Sequence, residues 1–122
     1  MVRLGLAALG AILVAGCGPQ IRTTLIGQPQ PEDPDRREIL VFSTAVPRCP
    51  FEEIALVSVR RNLRLSEDMD GLLATFKEHA RKLGGHAIVG LAERPGTEEE
   101  SPSLSGTVVR FREPGCREDG GG

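Results

Sequence analysis

The sequence predicts an α+β fold in the order ββαββ, with one amphipathic helix packed on a small, mostly antiparallel sheet. Three observations favour this fold. Four short stretches rich in β-branched and aliphatic residues have the length of strands. One segment between the second and the third repeats apolar residues at helical spacing. A single helix buries its apolar stripe most readily by lying on a sheet, which gives two layers.

The four predicted strands lie at residues 39–42, 54–59, 87–91 and 104–111. The second of them, IALVSV, carries apolar residues on both faces, which is typical of a strand inside a sheet or under a covering layer. The fourth contains Gly106, and a glycine within a strand is typical of a bulge.

The helix is predicted to begin at Ser66, whose hydroxyl can cap the first turn. Acidic residues follow, and the positive end of the helix dipole favours them there. Apolar residues then recur every three or four positions: Met69, Leu72, Leu73, Phe76, Ala80 and Leu83. Gly84 and Gly85 are predicted to end the helix, one of them in the left-handed conformation.

The first residues of the chain match an export signal. Arg3 precedes an uncharged apolar run, residues 4–15, which is too short to span a bilayer as a helix. The sequence VAGC at 14–17 then resembles the bacterial lipobox, in which signal peptidase II cuts before the cysteine and the sulfur carries a diacylglyceryl group. We therefore expect cleavage between Gly16 and Cys17 and lipidation of Cys17. Two or more acyl chains, palmitate among them, would hold the protein stably at a membrane.

The expected location is the cell envelope. Gly18, rather than an aspartate, follows Cys17, and by resemblance to lipoprotein sorting in Gram-negative bacteria this predicts transfer to the outer membrane, facing the periplasm. The expected partners are the membrane, through the lipid anchor, and an envelope protein.

Residues 17–37 are predicted to form a flexible tether, because four prolines disfavour a helix there. A strand in the TTLIG segment at 23–27 is the alternative. The small domain is expected at 38–116, and residues 117–122, REDGGG, are expected to be a disordered tail.

Two cysteines remain beside Cys17. Cys49 precedes the second predicted strand and Cys116 follows the last, so antiparallel pairing of these strands would bring the two sulfurs together. The disulfide would close a loop of about 67 residues, worth roughly 4 kcal/mol. Free or intermolecular thiols and a metal or redox switch are the alternatives. Only His79 and His86 could add imidazole ligands, and no CxxC spacing is present, so no metal site is predicted.

Composition argues against several functions. A net charge of −2 with no Trp and no Tyr is unlike a nucleic-acid-binding protein. No GxSxG, GxGxxG or GxxxxGK[ST] motif occurs, so we predict no catalytic residue, no cofactor, no small-molecule substrate and no enzyme activity.

Arg60, Arg61 and Arg64 form a basic cluster that we expect to contact a partner or anionic lipid.

Three segments together resemble the small α+β domain of YbjQ-type proteins, a plan shared by the stress-sensing outer-membrane lipoprotein of the Rcs phosphorelay. They are CPFEEIALVSV at 49–59, ARKLGGHAIVGL at 80–91 and LSGTVVRF at 104–111. The helix ending A-x-x-L-G-[AG]-x-A and the later S-G-T match Ala80, Leu83, Gly84, Gly85, Ala87, Ser105, Gly106 and Thr107. The resemblance covers about residues 49–112 and implies a strand-rich sheet with one packed helix.

Three functions are compatible with these features. The first is a non-catalytic, membrane-anchored module that binds or senses an envelope partner. The second is a structural envelope lipoprotein. The third is a periplasmic protein that binds metal or responds to redox conditions.

Overall fold

A computed structural model describes residues 20–35, 37–61 and 69–113. The elements are β1 (Gln20–Leu25), β2 (Leu40–Phe42), β3 (Phe51–Arg60), α1 (Met69–Lys82), β4 (Ala87–Arg94) and β5 (Ser103–Phe111). The strands form one five-stranded sheet in the order β1-β3-β5-β4-β2. Neighbours are antiparallel except β2 and β4, which are parallel. The predicted α+β class, with one helix packed on a mostly antiparallel sheet, is confirmed.

The strand β1 lies in the segment that we predicted to be a flexible tether, and for these residues that prediction is wrong. Gln20–Leu25 pairs with β3 along its whole length, from Gln20 opposite Arg60 to Leu25 opposite Ala55. The prolines that argued for a tether flank the strand and do not interrupt it. All six of its residues are exposed, so no apolar run marks the strand. The folded unit therefore includes residues N-terminal to 38.

The chain after β1 stays attached to the domain and meets the end of the helix. The backbone N–H of Gln30 donates to the carbonyl of Leu83 at 3.0 Å. Gly84 has a φ of 81°, so the predicted left-handed glycine at the helix end is confirmed. A Cβ at Gly84 would lie 2.5 Å from the carbonyl oxygen of Gln30, so this position also needs glycine for the close approach of the two segments.

The predicted bulge lies on the strand next to Gly106, not on Gly106 itself. The register of β4 against β5 shifts between Val89 and Ala92, so that Gly90 and Leu91 together oppose one residue, Gly106. Gly90 has a φ of 63°, which is typical of a glycine at the first position of a bulge. A Cβ at Gly106 would lie 2.8 Å from Cγ2 of Ile88, so Gly106 makes room for the bulged strand.

Apolar side chains form a cluster on each face of the sheet. The cluster between sheet and helix is centred on Phe76, which is fully buried, and its buried members are Ile39, Ile54, Ala55, Val57, Val59, Leu72, Phe76, Ala80, Ile88, Leu104 and Val108. The smaller cluster on the opposite face consists of Phe42, Ala87, Val109 and Phe111, with Leu40, Cys49, Phe51 and Val89 packed against it. Burial on both faces explains why the interior strands read as apolar runs.

Several predictions fall on residues outside the described ranges. They concern the signal segment at 1–16, the lipidation site Cys17, the cap Ser66, the basic residue Arg64, and the tail at 117–122 with the preceding Cys116. Within the described ranges, no helix is both long and apolar enough to cross a membrane.

Candidate functional site

The sheet face opposite α1, called the outer face below, carries a polar surface. Residues directly opposite one another in adjacent strands share a face. In β3, Ala55, Val57 and Val59 pack toward the helix, so the alternating residues Leu56, Ser58 and Arg60 lie on the outer face.

Register places a row of polar partners beside these residues. Arg22 of β1 and Ser105 of β5 flank Ser58, and Gln20 and Ser103 flank Arg60. The row through Arg60 ends at Arg94 of β4, which is opposite Ser103. The outer face therefore changes from apolar, at the end where β3 begins, to basic, at the end where β1 begins.

Two adjoining depressions lie on the polar part of the outer face, and Arg22 and Ser58 line both of them. One, of about 310 Å³, is lined by Gln20, Arg22, Ser58 and Arg60. The other, of about 440 Å³, continues past Ser105 and Thr107. Leu56, which is 49% exposed, lies in its floor. We call the two together the outer groove. Guanidinium groups, hydroxyls and one exposed leucine are suited to binding an anionic or amphipathic partner.

The structure divides the predicted arginine cluster. Arg60 lies in the outer groove, whereas Arg61 is half-buried and its backbone N–H donates to the carbonyl of Pro102 at 3.1 Å. Arg64 lies outside the described residues. The second arginine of the groove is Arg22, which was not predicted as a site residue because residue 22 falls in the predicted tether. The available signal was the TTLIG segment at 23–27, for which a strand was the alternative interpretation and whose first three residues lie in β1.

Neither Arg22 nor Arg60 is held by a carboxylate of the described residues. Some other basic side chains of the domain are engaged, whereas Arg48, Arg94 and Arg112 are exposed like the groove arginines. Lys77 pairs with Glu38 at 2.7 Å, and Arg110 donates to the carbonyl of Gly84 at 2.6 Å. Both groove arginines are exposed, so their guanidinium groups are available to a ligand from outside.

Cys49 is disulfide-bonded. The chain has three cysteines and the other two, Cys17 and Cys116, lie outside the described ranges. Phe51 is opposite Phe111, and the backbone N–H of Arg112 donates to the carbonyl of Pro50 at 3.2 Å. The antiparallel pairing on which the Cys49–Cys116 prediction depended is therefore present. It supports Cys116 as the partner, which stays a prediction.

Both histidines have structural roles in the domain. His86 is buried, and its Nδ1 accepts a hydrogen bond from the backbone N–H of Phe111 at 3.1 Å. His79 joins the helix to the edge strand, because its Nε2 lies 2.7 Å from Oγ1 of Thr23. Within the described part of the chain, no three His, Cys, Asp or Glu side chains group closely enough to hold a metal ion.

The partial burial of His79 predicts a pH dependence of stability. Burial, and then the charge of Lys82, lowers the pKa of His79 below its usual 6.5. As the pH falls, His79 is therefore protonated in the unfolded chain before it is protonated in the folded one. The contribution of neutral His79 to the free energy of unfolding is fully present above about pH 6.5 and declines as the pH falls toward the lowered pKa. Urea unfolding at a series of pH values should show this decline in the wild type. His79→Gln should remove part of it, and an identical pH profile in this variant would contradict the assignment.

Comparisons of the chain with protein-family models, with curated proteins and with solved structures found no match.

Proposed function

We propose that this protein is a non-catalytic lipoprotein of the cell envelope, anchored by acyl chains on Cys17, whose domain binds or senses a partner through the outer groove. The observation that carries the proposal is the lipobox VAGC placed directly after an apolar export segment. The resemblance to YbjQ-type domains and to the Rcs lipoprotein supports the same hypothesis, that of an envelope lipoprotein that binds or senses a partner. In Gram-negative cells the proposed location is the outer membrane, on its periplasmic side.

The position of β1 supports a domain held close to the bilayer. Only Gly18 and Pro19 separate Cys17 from the first residue of β1, Gln20. Three Cα–Cα steps reach about 11 Å at most, so a lipidated Cys17 would keep this end of the sheet at the headgroup layer. A binding module without a long tether would act at the membrane surface.

The composition of the outer groove supports binding as its role. Its polar groups are guanidinium and hydroxyl groups on paired strands, and these rigid elements hold them at fixed spacing. The two histidines that could act as bases are engaged elsewhere, His79 with Thr23 and His86 with Phe111. The proposed role is therefore recognition and not chemistry.

Loss of the anchoring thiol is the test of this proposal. Cys17→Ala should leave an unprocessed precursor with residues 1–16 still attached, because signal peptidase II requires the lipidated cysteine. Mass spectrometry of the protein from native membranes should find a wild-type chain that begins at an acylated Cys17.

Cys116→Ala is the control for the loss of a thiol, because Cys116 is remote from the cleavage site in the sequence. It should be processed and acylated normally. A native wild-type polypeptide that begins at Met1, or that carries a bare thiol at Cys17, would disprove the proposal.

A further inference from the structure

The outer groove has a basic end, made of Arg22 and Arg60, which lies at the point where the chain leaves toward Cys17. Gln20, the first residue of β1, is directly opposite Arg60, and Arg22 is opposite Ser58 on the same face. The four residues line one depression. The diagonal arrangement puts the two arginine Cα atoms roughly 7–8 Å apart. Two long guanidinium side chains can therefore bracket one phosphate group or hold two adjacent ones.

We propose that Arg22 and Arg60 bind the phosphate groups of anionic phospholipids in the membrane that anchors the chain. This inference rests on the proposed function, because the lipid on Cys17 brings the groove to the headgroups. A guanidinium matches phosphate oxygens with two parallel hydrogen bonds, and the nearby hydroxyl of Ser58 adds a further donor. The domain would then lie with its basic end on the bilayer and its smaller apolar cluster away from it.

Charge complementarity favours the membrane as the occupant. Arg22, Arg60 and Arg94 are exposed and have no carboxylate partner within the described ranges, whereas the chain as a whole carries a net charge of −2. The nearby loop between β4 and β5 contains Glu98, Glu99 and Glu100, which would weaken binding of any polyanion, whether dissolved or part of a bilayer. A ligand held at high local concentration by the lipid anchor does not need high intrinsic affinity.

Arg48 and Arg112 serve as a control pair for Arg22 and Arg60. Arg48 and Arg112 are also exposed, and they lie beyond the opposite ends of β3 and β5 from Arg60. The ten residues of β3 place them about 30 Å from the basic end. Arg22→Gln with Arg60→Gln and Arg48→Gln with Arg112→Gln change the net charge equally but alter opposite ends of the sheet.

The experiment measures partitioning of the mature full chain onto vesicles. Cys17 carries a single chemically attached acyl chain of myristoyl length, because one such chain gives marginal and reversible binding that surface charges can modulate. Vesicles of phosphatidylcholine alone are compared with vesicles that contain about one-third phosphatidylglycerol. A basic residue at such a surface raises binding roughly fivefold, so the Arg22/Arg60 double variant should lose on the order of 25-fold on anionic vesicles. The Arg48/Arg112 variant should change less than about twofold, since those side chains lie beyond the screening length.

Three results would overturn the inference. They are equal losses in both double variants, no loss in either, and displacement of the wild type from anionic vesicles by inorganic phosphate at constant ionic strength. Self-association that depends on Arg22 and Arg60 without vesicles would assign the groove to a second copy and would also overturn it. Because the acyl chain is attached chemically, the vesicle measurement tests the role of Arg22 and Arg60 independently of whether cells acylate Cys17. Mass spectrometry of the native protein tests the acylation itself.

Discussion

Replacing Phe76 by alanine is expected to lower the free energy of unfolding by about 3–5 kcal/mol. The ring is completely buried between α1 and the sheet, in one cluster with Leu72, Ala80 and Val108. Removing it leaves a cavity that the strands cannot close, because backbone pairing fixes their spacing. Urea unfolding of the chain from Gly18 onward, followed by far-ultraviolet circular dichroism, measures the change.

Phe51→Ala is the matched control, since it deletes the same ring from the smaller cluster at a half-buried position. It should cost clearly less than Phe76→Ala. Equal stability of wild type and Phe76→Ala would show that the helix packs on the sheet through another face.

Breaking the disulfide of Cys49 is the second large effect that we expect. If the partner is Cys116, the bond closes a loop of about 67 residues, and Cys49→Ala should cost roughly 4 kcal/mol. Cys116→Ala should cost as much, and the double variant no more than either alone, because each removes the same crosslink. Non-reducing peptide mapping and urea unfolding under oxidising conditions measure both outcomes.

The cysteine variants also test the proposed lipid anchor, because they show which cysteine is bonded to Cys49. Within the chain, the partner of Cys49 is either Cys116 or Cys17. Only the first pairing leaves the sulfur of Cys17 available for lipid. If Cys17→Ala destabilised the fold while Cys116→Ala did not, the disulfide would involve Cys17 and the proposed lipid anchor would be excluded.

The stability of the sheet bears on the proposed role of the outer groove at the membrane. The disulfide and the smaller apolar cluster stabilise the end of the sheet where β3 begins, and the basic end lies about 30 Å away along that strand. A rigid sheet would hold Arg22 and Arg60 at a fixed distance from the anchor. Binding energy would then not be spent on ordering the groove.

The sequence by itself determined the fold class, the helix and four of the strands. Local signals were sufficient for these elements, because an apolar repeat, a run of β-branched residues and a glycine at a helix end each act over a few positions. The apolar spacing placed Phe76 on the buried face, and one of the paired glycines, Gly84, has the left-handed conformation that we expected.

Only the tertiary structure decided that Gln20–Leu25 forms an edge strand and that Arg22 lies beside Arg60. An exposed edge strand has no apolar pattern of its own, since it is stabilised mainly by backbone hydrogen bonds to the neighbouring strand. Its existence therefore depends on a free edge of β3, which lies more than 25 residues later in the chain. Two arginines so far apart in sequence become neighbours through register, which no local pattern encodes.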